Sequence, residues 1–273
     1  MNTLSWNCRG LRKPRTVRAL NDLVRDRRPE VLFLMETISD KKRIEELSVK
    51  FGFSNCFSVD RVGRSGGLAV FWHSRVECRI FGYSQNYIDL MFEENGSEAW
   101  RLSCFYGFPD RSRRKESWNL ICRLSKLSAV PWCIIGDFND LLYNSDKKGV
   151  HSHPIALMEG FRQAVHDCDL SELDLYGGRF TWEKSRGSKD WVQEKLDRAF
   201  ATSSWWSKFP LYALESGVAD LDLFVTWPRL LVGKLLIQHH EFEDNVNIYN
   251  DIILLDSFVI IIVFYFFIIF TSP

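Results

Sequence analysis

Trp132-Cys-Ile-Ile-Gly-Asp-Phe-Asn139 is the stretch on which the fold turns. The apolar run from Trp132 to Ile135 is too short for a helix and reads, with Pro131, as a strand buried on both faces that ends at Gly136-Asp137-Phe138-Asn139. Two earlier runs have the same form. Leu4-Ser-Trp6 belongs to an alternating strand over Thr3–Asn7 and ends at Asn7; Val31-Leu-Phe-Leu-Met35 ends at Glu36. A polar group just past a buried strand is held rigidly while its oxygens stay reachable. Taken singly, an Asp or Asn at a strand end also simply makes a turn. Repetition at separate strand ends makes a shared site the sharper reading. Two carboxylates and a carboxamide are hard oxygen ligands, which suit Mg2+ or Mn2+ better than Zn2+.

Working outward, strands and helices alternate. Pro14–Arg28 carries Val17, Leu20, Leu23 and Val24 at helical spacing, and Lys41–Lys50 is a charged amphipathic helix. Gly66-Gly67 opens a strand over Leu68–Trp72. Arg75–Tyr83, Tyr87–Glu93 and Trp100–Gly107 form an antiparallel meander with turns at Asn86 and Asn95-Gly96. Ser112–Leu127 and Pro154–Asp167 are helical, and short strands over Phe180–Trp182 and Glu194–Phe200 close the ordered part. Strands mixed with helices around a central meander predict an α/β protein with two packed sheets and helices outside.

The chain has 273 residues, is 46% hydrophobic and 26% charged, and balances 35 Lys+Arg against 35 Asp+Glu. That excludes disordered and disulfide-scaffold classes, and it excludes nucleic-acid binding by global charge alone. Phosphate-directed chemistry must come from local clusters or a metal. The seven cysteines are scattered without a Cys-x-x-Cys pair and read as thiols buried in a reducing compartment. Texture changes near residue 218, giving one domain over 1–217 and a divergent tail over 218–273. The tail holds the apolar run Phe258–Phe270, extended back to Ile252 with Asp256 and Ser257 as interruptions. A bilayer span needs about 20 apolar residues. A membrane anchor through 252–270, a buried β-rich piece and unselected, aggregation-prone sequence all remain open for it.

Six motifs then occur in order: Trp6-Asn-Cys-Arg-Gly10, Leu34-Met-Glu-Thr37, Gly66-Gly-Leu-Ala69, Phe105-Tyr-Gly107, Gly136-Asp-Phe-Asn139 and Lys195-Leu-Asp-Arg-Ala199. On these residues 1–217 resemble the endonuclease/exonuclease/phosphatase family, in particular the apurinic-type endonuclease domain of plant LINE-type (non-LTR) retrotransposons. The resemblance implies a DNase I-like four-layer sandwich, two mixed β-sheets packed face to face with helices outside, and a Mg2+-dependent hydrolase of DNA phosphodiesters working in the nucleus. It implies that Glu36 holds the metal with Asn7 beside it, that Asp137 orients and deprotonates the attacking water, that Asn139 positions the scissile phosphate and that Tyr106 donates to a phosphate oxygen. Asp197 would order the loop before the last motif or pair with an arginine.

One motif departs. The family closes its site with Ser-Asp-His, whereas here Asp222 takes the place of the Asp, the partner of the missing His, and Leu223 that of the His. Leucine cannot donate a hydrogen bond, so impaired turnover is expected. A phosphomonoesterase of the same fold and a catalytically dead, membrane-associated remnant are the rival readings. Arg9, Arg12, Lys13, Arg15 and Arg18 cluster near the proposed site, with Arg9, Arg12 and Arg15 as DNA-backbone contacts. Arg111, Arg113, Arg114 and Lys115 form a second run that reads as a solvated helix face. Trp6, Trp72, Trp100 and Trp132 read as core, and His151-Ser-His153 as loop.

Overall fold

A computed structural model describes residues 1–63, 66–93 and 98–216, and the backbone of 222–226. The expected turn at Asn95-Gly96 and the apolar run over 252–270 lie outside the described residues. Among the described residues no helix is long and apolar enough to cross a membrane.

The first half of the chain runs β1 (Asn2–Asn7), α1 (Pro14–Arg27), β2 (Val31–Met35), α2 (Lys41–Phe51), β3 (Asn55–Val59), β4 (Leu68–Trp72), β5 (Cys78–Ser84), β6 (Tyr87–Phe92), β7 (Trp100–Tyr106) and α3 (Arg114–Ser125). The second half runs β8 (Trp132–Asp137), β9 (Lys147–Lys148), α4 (Ile155–Asp167), β10 (Leu170–Glu172), β11 (Leu175–Tyr176), β12 (Trp182–Lys184), β13 (Val192–Glu194), β14 (Asp197–Thr202), α5 (Ser203–Lys208), β15 (Ala213–Ser216) and β16 (Asp222–Thr226). A seven-stranded sheet has the order β11-β15-β16-β1-β2-β4-β3, a six-stranded sheet the order β10-β14-β8-β7-β6-β5, and a small third sheet joins β12, β13 and β9. Both large sheets are mixed: β1 pairs parallel with β2, and β7 parallel with β8. The DNase I-like sandwich expected from the sequence is the observed architecture.

Side-chain alternation sorts the layers. From β2, Val31, Phe33 and Met35 enter the core between the sheets, while Leu32 and Leu34 pack under α1 and α2 with Leu20, Ile44 and Leu47. In β8, Cys133 and Ile135 face the same inter-sheet core, while Trp132 and Ile134 pack with Ile121, Leu124 and Phe161 of α3 and α4. A continuous apolar run is thus the signature of a strand covered on both faces. On β1 the apolar Leu4 and Trp6 take the helix side. Thr3, Ser5 and Asn7, also buried, therefore point between the sheets.

Several expected boundaries shift. The strand expected over Pro131–Ile135 continues through Gly136 to Asp137, the one over Arg75–Tyr83 starts at Cys78, and the one over Glu194–Phe200 divides into β13 and β14. The strand β3, with its alternating Cys56-Phe57-Ser58-Val59, and the helix α5 had no expectation attached. Trp6, Trp100 and Trp132 are buried and Trp72 is partly buried. All seven cysteines are free thiols, with Cys56, Cys78 and Cys122 only partly covered. Across β1, Asp222 pairs with Trp6 and Leu223 with Ser5.

Gly136 is where the fold tolerates nothing larger. Its φ is +147°, and a Cβ there would fall 1.9 Å from the Phe105 carbonyl oxygen of the adjoining strand. Neither the backbone conformation nor the gap suits an L side chain. Gly136→Ala should lower unfolding free energy by about 2–5 kcal/mol, combining backbone strain with overpacking. Denaturant titration reads this directly, and an unchanged midpoint would show that β7 and β8 can separate without cost.

Candidate active site

The sheets meet at one end of their shared core through the last residues of parallel strand pairs. Asn7 ends β1 and lies beside Met35 of β2, with Glu36 next along the chain. Tyr106 ends β7 beside Asp137, the end of β8, and Asp137 in turn lies beside Asp197, the start of β14. Residues directly paired across a sheet share a face. Tyr106, Asp137 and Asp197 therefore form a row on the inner face of one sheet, opposite Asn7 on the inner face of the other.

Hydrogen bonds close the gap. The Asn7 Nδ2 donates to Glu36 Oε1 at 2.9 Å and to Asp137 Oδ2 at 3.1 Å. The Tyr106 hydroxyl donates to the same Glu36 oxygen at 2.8 Å. The Asn139 backbone N–H donates to Asp137 Oδ1 at 2.8 Å, and its Nδ2 donates to the Gly107 carbonyl at 3.0 Å. Asn139 thus braces Asp137 and ties the loop after β7 to the loop after β8. Glu36 and Asn139 both have left-handed backbones, with φ of 52° and 55°. Such strain in non-glycine residues gathers where surrounding structure over-determines it, often at functional sites.

The bonding leaves particular oxygens free. A carboxamide wedged between two carboxylates must turn its NH2 toward them, which fixes the amide orientation. Asn7 Oδ1 then points away, buried and with no hydrogen-bond partner. Glu36 Oε2 also receives no donor among the described residues, since both bonds go to Oε1. An orphaned acceptor and an uncommitted carboxylate oxygen on two side chains hydrogen-bonded to each other fit a hard cation. Among the described residues no group of three His, Cys, Asp or Glu side chains could hold a metal. The donor set therefore fits an ion that keeps most of its waters, as Mg2+ does, rather than one caged by protein.

Burial dominates the electrostatics. It pushes the Asp137 carboxyl from 3.8 up to about 6, against the bonds from Asn7 and Asn139 and with help from the charge of Glu36. Burial and the two neighbouring carboxylates push the Tyr106 phenol well above its ordinary value, so it stays a donor. Burial also pushes the Cys8 thiol up to about 12. With its Sγ bonded to the Met35 carbonyl at 3.2 Å, Cys8 is a packing residue and not a nucleophile.

Two features escaped the sequence reading. Arg114, taken as part of an exposed basic run, is buried at the start of α3. Its Nη2 donates to the Pro109 carbonyl at 3.0 Å, its Nε and Nη1 have no partner, and its charge acts on Asp137, Asp140 and Tyr106. The spacing held a signal, because Arg114 shares the buried face of α3 with Ser117, Ile121 and Leu124. His153, taken as loop, is buried with Nε2 3.5 Å from Asp140 Oδ1, and Trp118 Nε1 donates to Asp140 Oδ2 at 2.9 Å. The expected alternatives for Asp197 were a loop role or an arginine pair; it lies buried beside Asp137. The adjacent Arg198 bonds to Asp146 and Glu172, each at 2.6 Å. Arg9, Arg12 and Arg15 are exposed and have no carboxylate partner among the described residues.

Asp137 holds its proton more tightly in the folded chain than in the unfolded one. Its contribution to stability is therefore full below about pH 4 and lost as pH rises through about 6. In chelator-treated protein, Asp137→Asn should reduce the fall in Tm between pH 4 and pH 7. An identical fall in both proteins would place the titrating group elsewhere.

The molecule is similar to solved nucleases and phosphatases. The endonuclease domain of TRAS1, a telomere-specific non-LTR retrotransposon, aligns with a TM-score of 0.63 at 15% identity over 84% of this chain and 99% of that one. A 3′ phosphatase, NExo from Neisseria, bound to product DNA hairpin, aligns with a TM-score of 0.62 at 14% identity, again over 84% and 99%. An AP endonuclease from Archaeoglobus fulgidus aligns with a TM-score of 0.61 at 12% identity over 83% and 99%. At these identities the likeness shows the fold. No curated protein matches the sequence. Residues 4–219 match the model of one family, and they carry every strand end that builds the site. The chain belongs to the Endonuclease/Exonuclease/phosphatase family.

Proposed function

We propose that this chain is a divalent-cation-dependent phosphodiester hydrolase that nicks DNA, an endonuclease of the kind non-LTR retrotransposons carry. The observation that carries the reading is the Asn7 carboxamide bonded at once to Glu36 and Asp137, with the Tyr106 phenol on the same Glu36 oxygen. Hydrolysing a phosphodiester needs an in-line nucleophile and stabilised equatorial oxygens.

Glu36 and Asn7 would hold Mg2+ or Mn2+ through their uncommitted oxygens, and the bound ion would neutralise charge on the phosphate. Asp137 orients the attacking water and accepts its proton. A carboxylate pushed up to about 6 is a stronger base than an exposed one and is still ionised at neutral pH. Tyr106 keeps its proton and, exchanging its bond to Glu36 for one to the bound substrate, donates to a phosphate oxygen. Asn139 fixes Asp137 through its backbone N–H and presents its amide beside it. Arg9, Arg12 and Arg15, which have no carboxylate partner among the described residues, track the DNA backbone and make binding salt-sensitive. The TRAS1 domain and the DNA-bound Neisseria protein share the fold and support DNA as the substrate. The nucleus is where such a substrate lies. The Neisseria protein is a 3′ phosphatase, which keeps phosphomonoester hydrolysis as the second reading.

Activity is impaired because an imidazole is missing beside the site. Losing one general acid–base group typically costs about 10²–10⁴ in rate. Leu223 pairs with Ser5, two positions before Asn7 on β1. The Asp-Leu pair occurs twice within residues 217–224 of the sequence, as Asp220-Leu221 and Asp222-Leu223.

Two outcomes are expected. Full-length protein with supercoiled plasmid and Mg2+ should yield nicked circles, and either EDTA or Asp137→Ala should reduce the rate by about 10²–10⁴. Nicking that persists in Asp137→Ala would remove the assignment, and preferential release of phosphate from 3′-phosphorylated oligonucleotides would favour the second reading. Restoring the imidazole should raise nicking at least tenfold in Leu221→His or Leu223→His, and gel quantitation of both variants identifies which position faces the scissile phosphate.

A further inference from the structure

The turn between β5 and β6 and the flank of α3 enclose a cleft of about 600 Å3 beside the site. Its walls include Gln85, Tyr87, Phe108, Asn119, Arg123 and Leu127. The cleft joins the site through Asn86, which also lines it: Asn86 Nδ2 donates to the Tyr106 carbonyl, and the Tyr106 N–H donates to the Asn86 carbonyl, both at 2.8 Å. A ligand in the cleft therefore lies against the turn that is bonded to the backbone of Tyr106.

The chemistry of the walls is selective. Phe108 is clamped on one side by the Arg113 guanidinium, 3.8 Å from its ring centroid, and Arg113 is itself held by two bonds of 2.7 Å to Glu116. Gln85 and Asn119 are exposed, and their side-chain amides make no hydrogen bond among the described residues. Arg123 is exposed and has no carboxylate partner among them. Aromatic faces, free amides and an uncommitted guanidinium match the three parts of a nucleotide: a stacking surface, polar base edges and a phosphate. The volume is that of a small-molecule site. A hydrocarbon chain would leave the amides and the guanidinium unused.

We propose that this cleft is a subsite for a nucleotide flanking the scissile phosphate, with its base against Phe108 and Tyr87, its edge at Asn119 and Gln85, and its phosphate at Arg123. The proposal rests on DNA being the substrate. It makes the cleft a source of sequence preference separate from the residues that perform hydrolysis.

The test is equilibrium binding of the full chain, in Ca2+, to duplexes in which one nucleotide at a time around the nicking position is replaced by a base-free tetrahydrofuran spacer. The comparison protein is Asn119→Ala/Arg123→Gln, whose changes are both on the surface. Base–aromatic stacking is worth enough that one spacer position should weaken wild-type binding roughly tenfold. At that position the double variant should lose no more than about twofold further, because without the edge contact of Asn119 and the phosphate contact of Arg123 the base no longer seats on Phe108 and Tyr87. Equal losses in both proteins at every position, with the wild type binding DNA, would overturn the subsite alone. A wild-type chain that neither binds nor nicks DNA would overturn the subsite together with the proposed function.

Discussion

One carboxamide holds the two sheets to a common purpose. Glu36 belongs to one sheet and Asp137 to the other, and two carboxylates brought this close would repel without something between them. The Asn7 NH2 has two hydrogens, and each goes to one carboxylate. The remaining carboxamide oxygen is thereby turned away, buried and unsatisfied. A leucine in its place would leave the same two anions without a shared donor, and an aspartate would add a third charge. The chemistry available at this end of the sandwich follows from that single bridging group.

The bridge works because of what surrounds it. Asp137 is buried at the end of a strand whose inner face is otherwise apolar, so its charge depends on the donors it meets. Tyr106 occupies the neighbouring register position and Asp197 the one on the other side. Arg114 adds a cation from the helix layer, close enough to be felt by Asp137 and Tyr106. The site is therefore assembled from both sheets and one helix, with few of its parts adjacent in the chain.

That assembly explains what could and could not be read beforehand. Val31–Met35 and Trp132–Ile135 were legible because strands covered on both faces have to be continuously apolar. Asn7, Glu36 and Asp137 were legible because each stands at the end of a short strand run, and Tyr106 because the family motif Phe105-Tyr-Gly107 marks it. Beyond this, the pattern weakens. In β3 the alternation is genuine but short, and the small sheet of β9, β12 and β13 pairs strands of two or three residues that carry no periodicity of their own. Arg114 was misread because four basic residues within five positions look solvated, although every third or fourth residue of that helix faces inward. His153 is buried opposite Asp140, a tertiary fact with no local signature. Asn139, expected at the phosphate, also braces Asp137 and the Gly107 carbonyl, which no local pattern marks.

The parallel pairs β1–β2 and β7–β8 have a consequence for how the chain can change. Each delivers its terminal polar residue to the same edge only while its register is intact. Side chains alternate with a period of two, so moving β8 by one position would present Gly136 or Phe138 where Asp137 now stands. An insertion or deletion inside one of these strands would therefore turn its terminal group off this edge, whereas a change of length in a connecting loop leaves the register intact. The arrangement stores its chemical information as a counting rule along four strands, and a sequence can drift far while the count is kept.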